Sequence, residues 1–147
     1  MTDPKTALLP LLGMAKESVA AELHRRLREQ GFTEIRDTHG CVFRFIDREG
    51  SRLTDLAELN DMSKQAVGEI VDDLQAHAYV ERAPDPVDGR AKIIRLTERG
   101  QDAQSAAVAI FAEIEREWAE RFGQERVAVM REVLEEVVLG AGAPAAA

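Results

Sequence analysis

The stretch that decides the fold is residues 51–99, SRLTDLAELNDMSKQAVGEIVDDLQAHAYVERAPDPVDGRAKIIRLTER. It opens with two short amphipathic segments separated by Asn60 and Asp61, which are residues typical of turns. The apolar residues of the second segment recur at i, i+3, i+4 and i+7, the spacing of one buried helix face: Val67, Ile70, Val71 and Leu74. This pattern predicts two closely spaced helices, the arrangement of a helix-turn-helix.

The starts of both helices are predicted from their hydroxyl residues. Thr54 and Ser63 are expected to be N-caps, because a hydroxyl can accept a hydrogen bond from an unpaired amide of the first turn. The face of the second helix opposite its apolar stripe is polar or small: Lys64, Gln65, Gly68, Glu69, Asp72 and Gln75. A polar outer face leaves this helix free to meet a partner.

Two strands are predicted after the helices, over residues 79–83 and 91–96, with Val80, Ile94 and Leu96 facing inwards. The segment between them, PDPVDGR at residues 84–90, holds two prolines and a glycine. Such a segment does not continue a central strand, so it is predicted to be a turn. A helix-turn-helix followed by a two-stranded wing is a winged helix.

Residues 61–100, DMSKQAVGEIVDDLQAHAYVERAPDPVDGRAKIIRLTERG, resemble the winged-helix core of MarR-type transcriptional regulators. The resemblance is strongest in the wing, DPVDGRAK, and in the junction RLTERG, and it extends more weakly over nearly all of the chain. One departure is Ala78, where the family usually has glycine at the end of the second helix. The resemblance implies a mainly α fold with a small two- to three-stranded β wing.

The resemblance also implies a domain organisation. Residues 1–147 are expected to form one MarR-type domain, with a winged core over about 37–99 and dimerisation helices over about 6–30 and 98–139. The tail, residues 140–147, reads GAGAPAAA from Gly140 and is expected to be disordered. A length of 147 residues suits one domain with a sizeable core.

Composition narrows the class of protein. The single cysteine excludes an intramolecular disulfide and fits a reducing compartment. No apolar run is long enough for a membrane span and no signal peptide is recognisable, so a cytoplasmic protein is expected. The net charge of −8 divides into 0 over residues 1–50, −3 over 51–99 and −5 over 101–147. Most of the acid therefore lies outside the winged core, and phosphate contact would depend on local cations.

The helices that flank the core carry apolar stripes that need another surface to cover them. The stripe of the first helix is Leu8, Leu12, Val19, Leu23 and Leu27. After Thr97, a predicted N-cap, two further amphipathic helices are expected, separated by Gly123. The alternative is an intramolecular bundle, but a lone winged core is too small to cover all three helices. A homodimer is therefore predicted, as the family resemblance also implies.

The leading functional prediction is a sequence-specific DNA-binding regulator, a repressor acting as a homodimer on a pseudo-palindromic operator in double-stranded DNA. A recognition helix enters the major groove by its first residues. Ser63 and Lys64 suit phosphates, Gln65 suits adenine, and Gly68 would let the backbone approach closely. Two interpretations of Glu69 stay open, an acceptor for a cytosine amino group or a solvated carboxylate. The backbone amide of Thr54 is a further candidate for a phosphate.

The wing supplies the remaining candidate contacts, Asp88, Arg90 and Lys92. Arg90 is predicted to enter the minor groove, whose negative potential attracts arginine. Asp88 is predicted to hold the Arg90 guanidinium in place. The alternative is an exposed ion pair that contributes little.

A short helix is predicted over residues 37–47, apolar nearly all round and therefore buried. Two interpretations of His39 are a satisfied buried histidine, which is favoured, and a ligand contact. In the family, small aromatic ligands often bind beside this helix, which makes His39 and Arg44 candidates for a pocket that takes an aromatic or phenolic molecule. Cys41 is interpreted as a small core residue rather than a redox sensor.

Rival functions find less support in the sequence. No phosphate-binding glycine loop, nucleophile elbow or carboxylate–histidine set is recognisable, so no enzyme, catalytic residue or cofactor is predicted. His24, His39 and His77 are scattered without ligand spacing, so no metal site is predicted. The alternative function is a winged-helix module that binds protein without DNA. Arg90 and Lys92 argue against it, because such a module needs no cations at the wing.

Overall fold

The computed structural model describes residues 3–4 and 6–141, and within them the chain is mainly helical. The helices are α1 (Leu8–Glu29), α2 (Gly40–Phe45), α3 (Leu53–Leu59), α4 (Lys64–Ala76), α5 (Glu98–Phe122) and α6 (Gln124–Gly140). A 3₁₀ turn, Asp37–His39, precedes α2. The strands are β1 (Val80–Pro84) and β2 (Lys92–Leu96). This mainly α fold with a two-stranded wing confirms the predicted fold class.

The described residues form two compact units, Met1–Ala107 and Val108–Ala147, with α5 beginning in the first and continuing in the second. The first unit contains the winged core. Its buried centre joins α2, α3, α4, the wing and the start of α5: Val42, Leu56, Ala57, Val67, Val71, Leu74, Tyr79, Val80, Ile94 and Ala103. In the second unit Glu115 on α5 accepts a hydrogen bond from Arg131 on α6, with Nε and Oε1 2.8 Å apart. The prediction of a single domain over residues 1–147 stays a prediction.

The wing is an antiparallel pair in which Val80 lies opposite Leu96 and Pro84 opposite Lys92. β1 lies one residue later in the chain than the predicted 79–83. β2 begins one residue later than the predicted 91–96 and ends where it was predicted to end. Ser51 adds an isolated antiparallel bridge to Ile94, with its amide nitrogen 2.8 Å from the Ile94 oxygen. Val80 and Ile94 are buried, as predicted, and Leu96 is half-buried.

Three helices end in the same hydrogen-bond motif. At the end of α4 the Tyr79 amide donates to the Leu74 oxygen at 2.9 Å and the Ala78 amide donates to the Gln75 oxygen at 3.0 Å. This is a Schellman motif, and its central residue is left-handed. The equivalent residues are Gly31 after α1, Asp61 after α3 and Ala78 after α4, with φ of +94°, +50° and +63°. Alanine at residue 78 therefore adopts a conformation that suits glycine.

Two details of the helices differ from prediction. The helix predicted over residues 37–47 begins as a 3₁₀ turn and ends at Phe45, because Ile46 is extended, with ψ of 128°. The tail predicted over residues 140–147 begins with Gly140, which is the last residue of α6. Residues 142–147 of that tail lie outside the described residues.

Candidate nucleic-acid interface

The start of α4 is fixed by Ser63. Its Oγ accepts a hydrogen bond from the Ala66 amide at 3.1 Å, which confirms the predicted N-cap. Lys64, Gln65 and Glu69 are exposed, whereas Val67 is fully buried on the opposite face. The three polar side chains predicted to read DNA therefore share the solvent face of the helix.

Gly68 has a different setting from the one predicted. A Cβ built at Gly68 would lie 3.7 Å from Cδ2 of Leu53 on α3, which is an ordinary contact distance. The missing side chain therefore points towards the neighbouring helix, and the site has room for alanine. Close approach of the backbone to DNA does not follow from this geometry.

The prediction that Thr54 is the N-cap of α3 is wrong. The cap is Arg52, whose oxygen accepts from the Leu56 amide at 3.1 Å, and no side chain caps this helix. Thr54 is the second residue of α3 and is exposed. The reason for the error is that Leu53, which packs against the core, is the first residue of the helix, so the helix begins two residues earlier than predicted.

The base of the wing is anchored by Asp85. Its Oδ2 accepts from Nε and Nη2 of Arg52, at 2.9 and 2.7 Å, and its Oδ1 accepts from the Val87 amide at 2.8 Å. These bonds to the Val87 amide and to Arg52 hold the pKa of the Asp85 carboxyl below its usual range. The carboxylate is 9% exposed, so it is a buried junction between the wing and the residue that caps α3.

The wing tip does not contain the predicted Asp88–Arg90 ion pair. Oδ1 of Asp88 accepts from the backbone amide of Arg90 at 3.1 Å, which closes an Asx turn. The partner of this carboxylate oxygen is thus the backbone amide of Arg90 rather than its guanidinium. Asp88 therefore shapes the backbone of the tip, and the Arg90 side chain is left exposed.

The arginines of the winged core are mostly paired. Arg52 pairs with Asp85, Arg82 with Asp72, Arg95 with Glu81 and Arg99 with Glu34. Among the described residues, Lys64, Arg90 and Lys92 form no ion pair, and all three are exposed. A cation without an internal partner can bind a phosphate without first breaking a salt bridge. The cations predicted to contact DNA are therefore available to do so.

His39 is a buried histidine with both ring nitrogens bonded, the favoured interpretation. Its side chain is 2% exposed, Nδ1 lies 2.9 Å from the Arg36 amide nitrogen, and Nε2 lies 2.6 Å from Oδ2 of Asp73. Arg44 is exposed, and its guanidinium lies 5.1 Å from the centre of the Phe45 ring. His39 and Arg44 have different partners, and of the two only Arg44 is accessible to a ligand.

Cys41 packs against the core as a half-buried side chain. Burial raises the pKa of its thiol, which makes the thiolate scarce at neutral pH. Across the described part of the chain no group of three or more His, Cys, Asp or Glu side chains could hold a metal ion. No helix within residues 3–4 and 6–141 has the length and apolar character needed to cross a bilayer.

The residues that hold the interface in place are not predicted by the sequence. Arg52 and Asp85 are 33 positions apart, and His39 and Asp73 are 34 apart. The one local signal is Asp85-Pro86-Val87, because an aspartate two residues before a free amide is typical of an Asx turn. The partners across the fold have no signature in the sequence.

Comparison with known proteins supports the same fold. The family model described as MarR family (MarR_2) matches residues 33–91, which cover α2, the helix-turn-helix and most of the wing. A Bacillus subtilis (strain 168) protein, the uncharacterized HTH-type transcriptional regulator YdcH, is 26% identical over 117 residues, or 78% of this chain and 80% of that protein.

Two solved structures share the fold over nearly the whole chain. The reduced form of MarR from E. coli has a TM-score of 0.74 at 20% identity and covers 92% of this chain and 99% of its own. CouR from Rhodococcus jostii RHA1, bound to p-coumaroyl-CoA, has a TM-score of 0.69 at 22% identity, with 93% and 95% covered.

Helix α3, helix α4 and the wing define a winged helix-turn-helix protein. Over residues 33–91, which hold most of its winged core, the chain is similar to transcriptional regulators of the MarR family.

Proposed function

We propose that this protein is a cytoplasmic, sequence-specific DNA-binding repressor that acts as a homodimer on a pseudo-palindromic operator. The observation that carries the proposal is the set of exposed, unpaired cations at the start of α4 and on the wing. These are the two elements with which winged helices approach the major groove and the backbone beside it. Lys64, Arg90 and Lys92 supply the charge, and Gln65 supplies a side chain that can read adenine.

The acidic balance of the chain fits specific rather than non-specific binding. The winged segment, residues 51–99, carries −3, so bulk attraction to DNA is weak. Affinity must then come from a few placed contacts together with base readout. A chain of this charge should bind its operator with a shallow salt dependence and discriminate strongly against other sequences.

Dimerisation is supported by apolar side chains that each unit leaves exposed. In the first unit they lie on α1: Leu8, Leu9, Leu11, Leu12 and Met14. In the second unit they lie on α6: Val129, Met130, Val133, Leu134, Val137, Val138 and Leu139. Exposed patches of this extent mark interaction surfaces. A two-fold partner would cover them and would present two recognition helices about ten base pairs apart.

Selection from randomised duplexes tests the proposal. The full chain is incubated with a pool of random 30-base-pair DNA, and the bound molecules are enriched. The affinity of the enriched duplexes is then measured by mobility shift. We expect a pseudo-palindrome whose half-sites lie about ten base pairs apart. The Gln65→Ala variant should relax the preference at one position in each half-site. A chain that enriches no sequence would instead support the alternative, a module that binds protein without DNA.

A small aromatic or phenolic effector is a second part of the proposal. CouR, which shares the fold, has p-coumaroyl-CoA bound in its crystal structure, and the accessible candidate here is Arg44 on α2. A ligand can weaken DNA binding only if it binds one state of the dimer better than the other. Phenolic acids titrated against the pre-formed complex should release the operator. Compounds that bind without changing DNA affinity would remove the effector from the proposal.

A further inference from the structure

A polar clamp, in which His39 is the buried member and Arg36 is exposed, joins α4 to the turn that precedes α2. His39 Nε2 lies 2.6 Å from Oδ2 of Asp73, and the same oxygen accepts from Nη2 of Arg36 at 2.8 Å. Asp73 lies on the recognition helix, in its last turn. His39 and Arg36 bracket the Asp37–His39 turn, where the Arg36 amide also donates to Nδ1 of His39.

The geometry fixes the protonation state of His39. A backbone amide can only donate, so Nδ1 must carry a lone pair and accept. Nε2 then carries the proton and donates it to the Asp73 carboxylate. A proton added at Nδ1 would face the Arg36 amide, donor against donor, and would break that bond. The clamp as seen requires a neutral imidazole.

Some of the groups around the His39 imidazole lower its pKa and others raise it. Burial has the largest effect and lowers the pKa of His39, and the charges of Arg36 and His77 lower it further. Asp73 acts against them and raises it. Asp37 lies on the same turn, and the adjoining helix α2 carries Cys41 and Arg44. Burial prevails and the pKa of His39 is lowered, so the imidazole stays neutral at pH 7.

The clamp gives the packing of α4 a directional interaction, which contacts between aliphatic side chains do not provide. The apolar face of α4 buries Val67, Val71 and Leu74, but contacts between aliphatic groups are not directional. Hydrogen bonds to Asp73 have a defined direction and so select one rotation of the helix about its axis. When the helix rotates about its axis, the exposed side chains at its N-terminal end rotate with it.

We propose that His39 is a positioning residue, which sets the rotation of the recognition helix by holding Asp73 while its imidazole is neutral. The inference rests on the proposed function, because the quantity it controls is the fit of Gln65 and Lys64 to DNA. Acid should therefore weaken operator binding before it unfolds the protein.

Two variants at residue 39 test the inference, with His24→Gln as the matched control on α1. His39→Gln keeps a neutral donor for Asp73 and cannot be protonated. His39→Phe keeps a ring but leaves Asp73 without that donor. The probe is the duplex selected by the parent protein, and affinity is measured between pH 7.5 and pH 5.5, well below each variant's unfolding temperature. Sequence preference is measured as the ratio of operator to scrambled-duplex affinity.

We expect the folded His39→Phe variant to lose about tenfold in operator affinity, comparable to one mismatched base pair, while keeping its affinity for scrambled duplex. His39→Gln should restore most of the affinity and remove the pH dependence shown by the parent and by His24→Gln. A purely structural role would lower the unfolding temperature of His39→Phe and leave the affinity ratio and the pH profile unchanged, and that result would overturn the inference.

A readout without DNA separates this inference from the proposed function. The imidazole C2 proton of His39, followed by NMR, should titrate below the ordinary pKa of a histidine. A His39 that titrates at or above its ordinary value would overturn the inference even if DNA binds. A parent that selects no duplex would overturn the proposed function, and the inference would fall with it. A parent that binds, with both residue 39 variants matching it at every pH, would overturn the inference alone.

Discussion

Single residues beside the open end of the wing, where β1 begins and β2 ends, determine how the core closes. Tyr79 is fully buried, its ring contacts Phe32 and Phe43, and its hydroxyl donates to Glu34 at 2.7 Å. Thr97 caps α5 as predicted, because its Oγ accepts from the Gly100 amide at 3.1 Å. Gly100 lies directly against the Tyr79 carbonyl, which explains the glycine of the RLTERG junction.

The Gly100→Ala variant should be severely destabilised. A Cβ at residue 100 would lie 2.0 Å from the Tyr79 oxygen and 3.1 Å from Cδ2 of Leu96. Backbone cannot yield as a side chain does, so we expect the free energy of unfolding to fall by about 3 kcal/mol or more. Urea denaturation measures it, with Gly40→Ala, which meets nothing within 4 Å, as the control. Equal midpoints for the two variants would contradict this packing.

The Ala78→Gly variant should be more stable than the parent. Ala78 has φ of +63°, a conformation that costs an L-residue roughly 1–2 kcal/mol, partly offset by the freedom glycine gains in the unfolded chain. The net gain in the free energy of unfolding should be about 0.5–1 kcal/mol, measured by urea denaturation. Ala76→Gly, the same change at a helical residue, should lose stability. A loss at both positions would show that residue 78 is not left-handed.

At the scale of the element, α2 shows what the sequence predicts and what it does not. Its burial follows from its own apolar residues. Its position depends on distant polar side chains: Asn60 donates to the Cys41 oxygen at 3.0 Å, and Gln104 donates to the Phe43 oxygen at 2.8 Å. Caps such as Ser63 and stripes such as that of α4 were predictable, because near neighbours in the chain determine them. Bonds between residues tens of positions apart arise only once the chain has folded.

The wing has a base that is held by the Asp85–Arg52 ion pair and a tip whose Arg90 is exposed. The Arg90→Ala variant should show whether the tip contacts DNA. We expect operator binding to weaken by roughly 1–3 kcal/mol and the salt slope to fall by about one charge, with folding unchanged. The matched control is Arg95→Ala, because Arg95 is already paired with Glu81, at 2.8 Å between Nη2 and Oε1. Mobility shifts over a range of salt measure both. If Arg90→Ala binds as tightly as the parent throughout, the wing tip is not a DNA contact.

At the scale of the whole molecule, the exposed apolar side chains predict assembly. Sedimentation of the chain at micromolar concentration should give twice the chain mass, since interfaces of obligate dimers are large and apolar. Leu134→Glu, which introduces a charge on the apolar side of α6, should shift the chain to a monomer. Val87→Glu makes the same kind of change at the wing tip, where Val87 is 94% exposed, and should leave the mass unchanged. A parent that sediments as a monomer would contradict the dimer.

The burial of Cys41 makes the protein convenient for thiol-selective labelling. It is the only cysteine of the chain, and its raised pKa leaves little thiolate at neutral pH. Gly89, at the wing tip, meets nothing within 4 Å of an added Cβ. A cysteine introduced as Gly89→Cys should therefore react with a maleimide spin label many times faster than Cys41, as mass spectrometry of time-quenched samples would show. Comparable rates at the two sites would mean that the Cys41 thiol is accessible. With selective labelling, each dimer would carry one paramagnetic centre per wing, and pulsed dipolar spectroscopy would measure how far the wings separate when DNA or an effector is added.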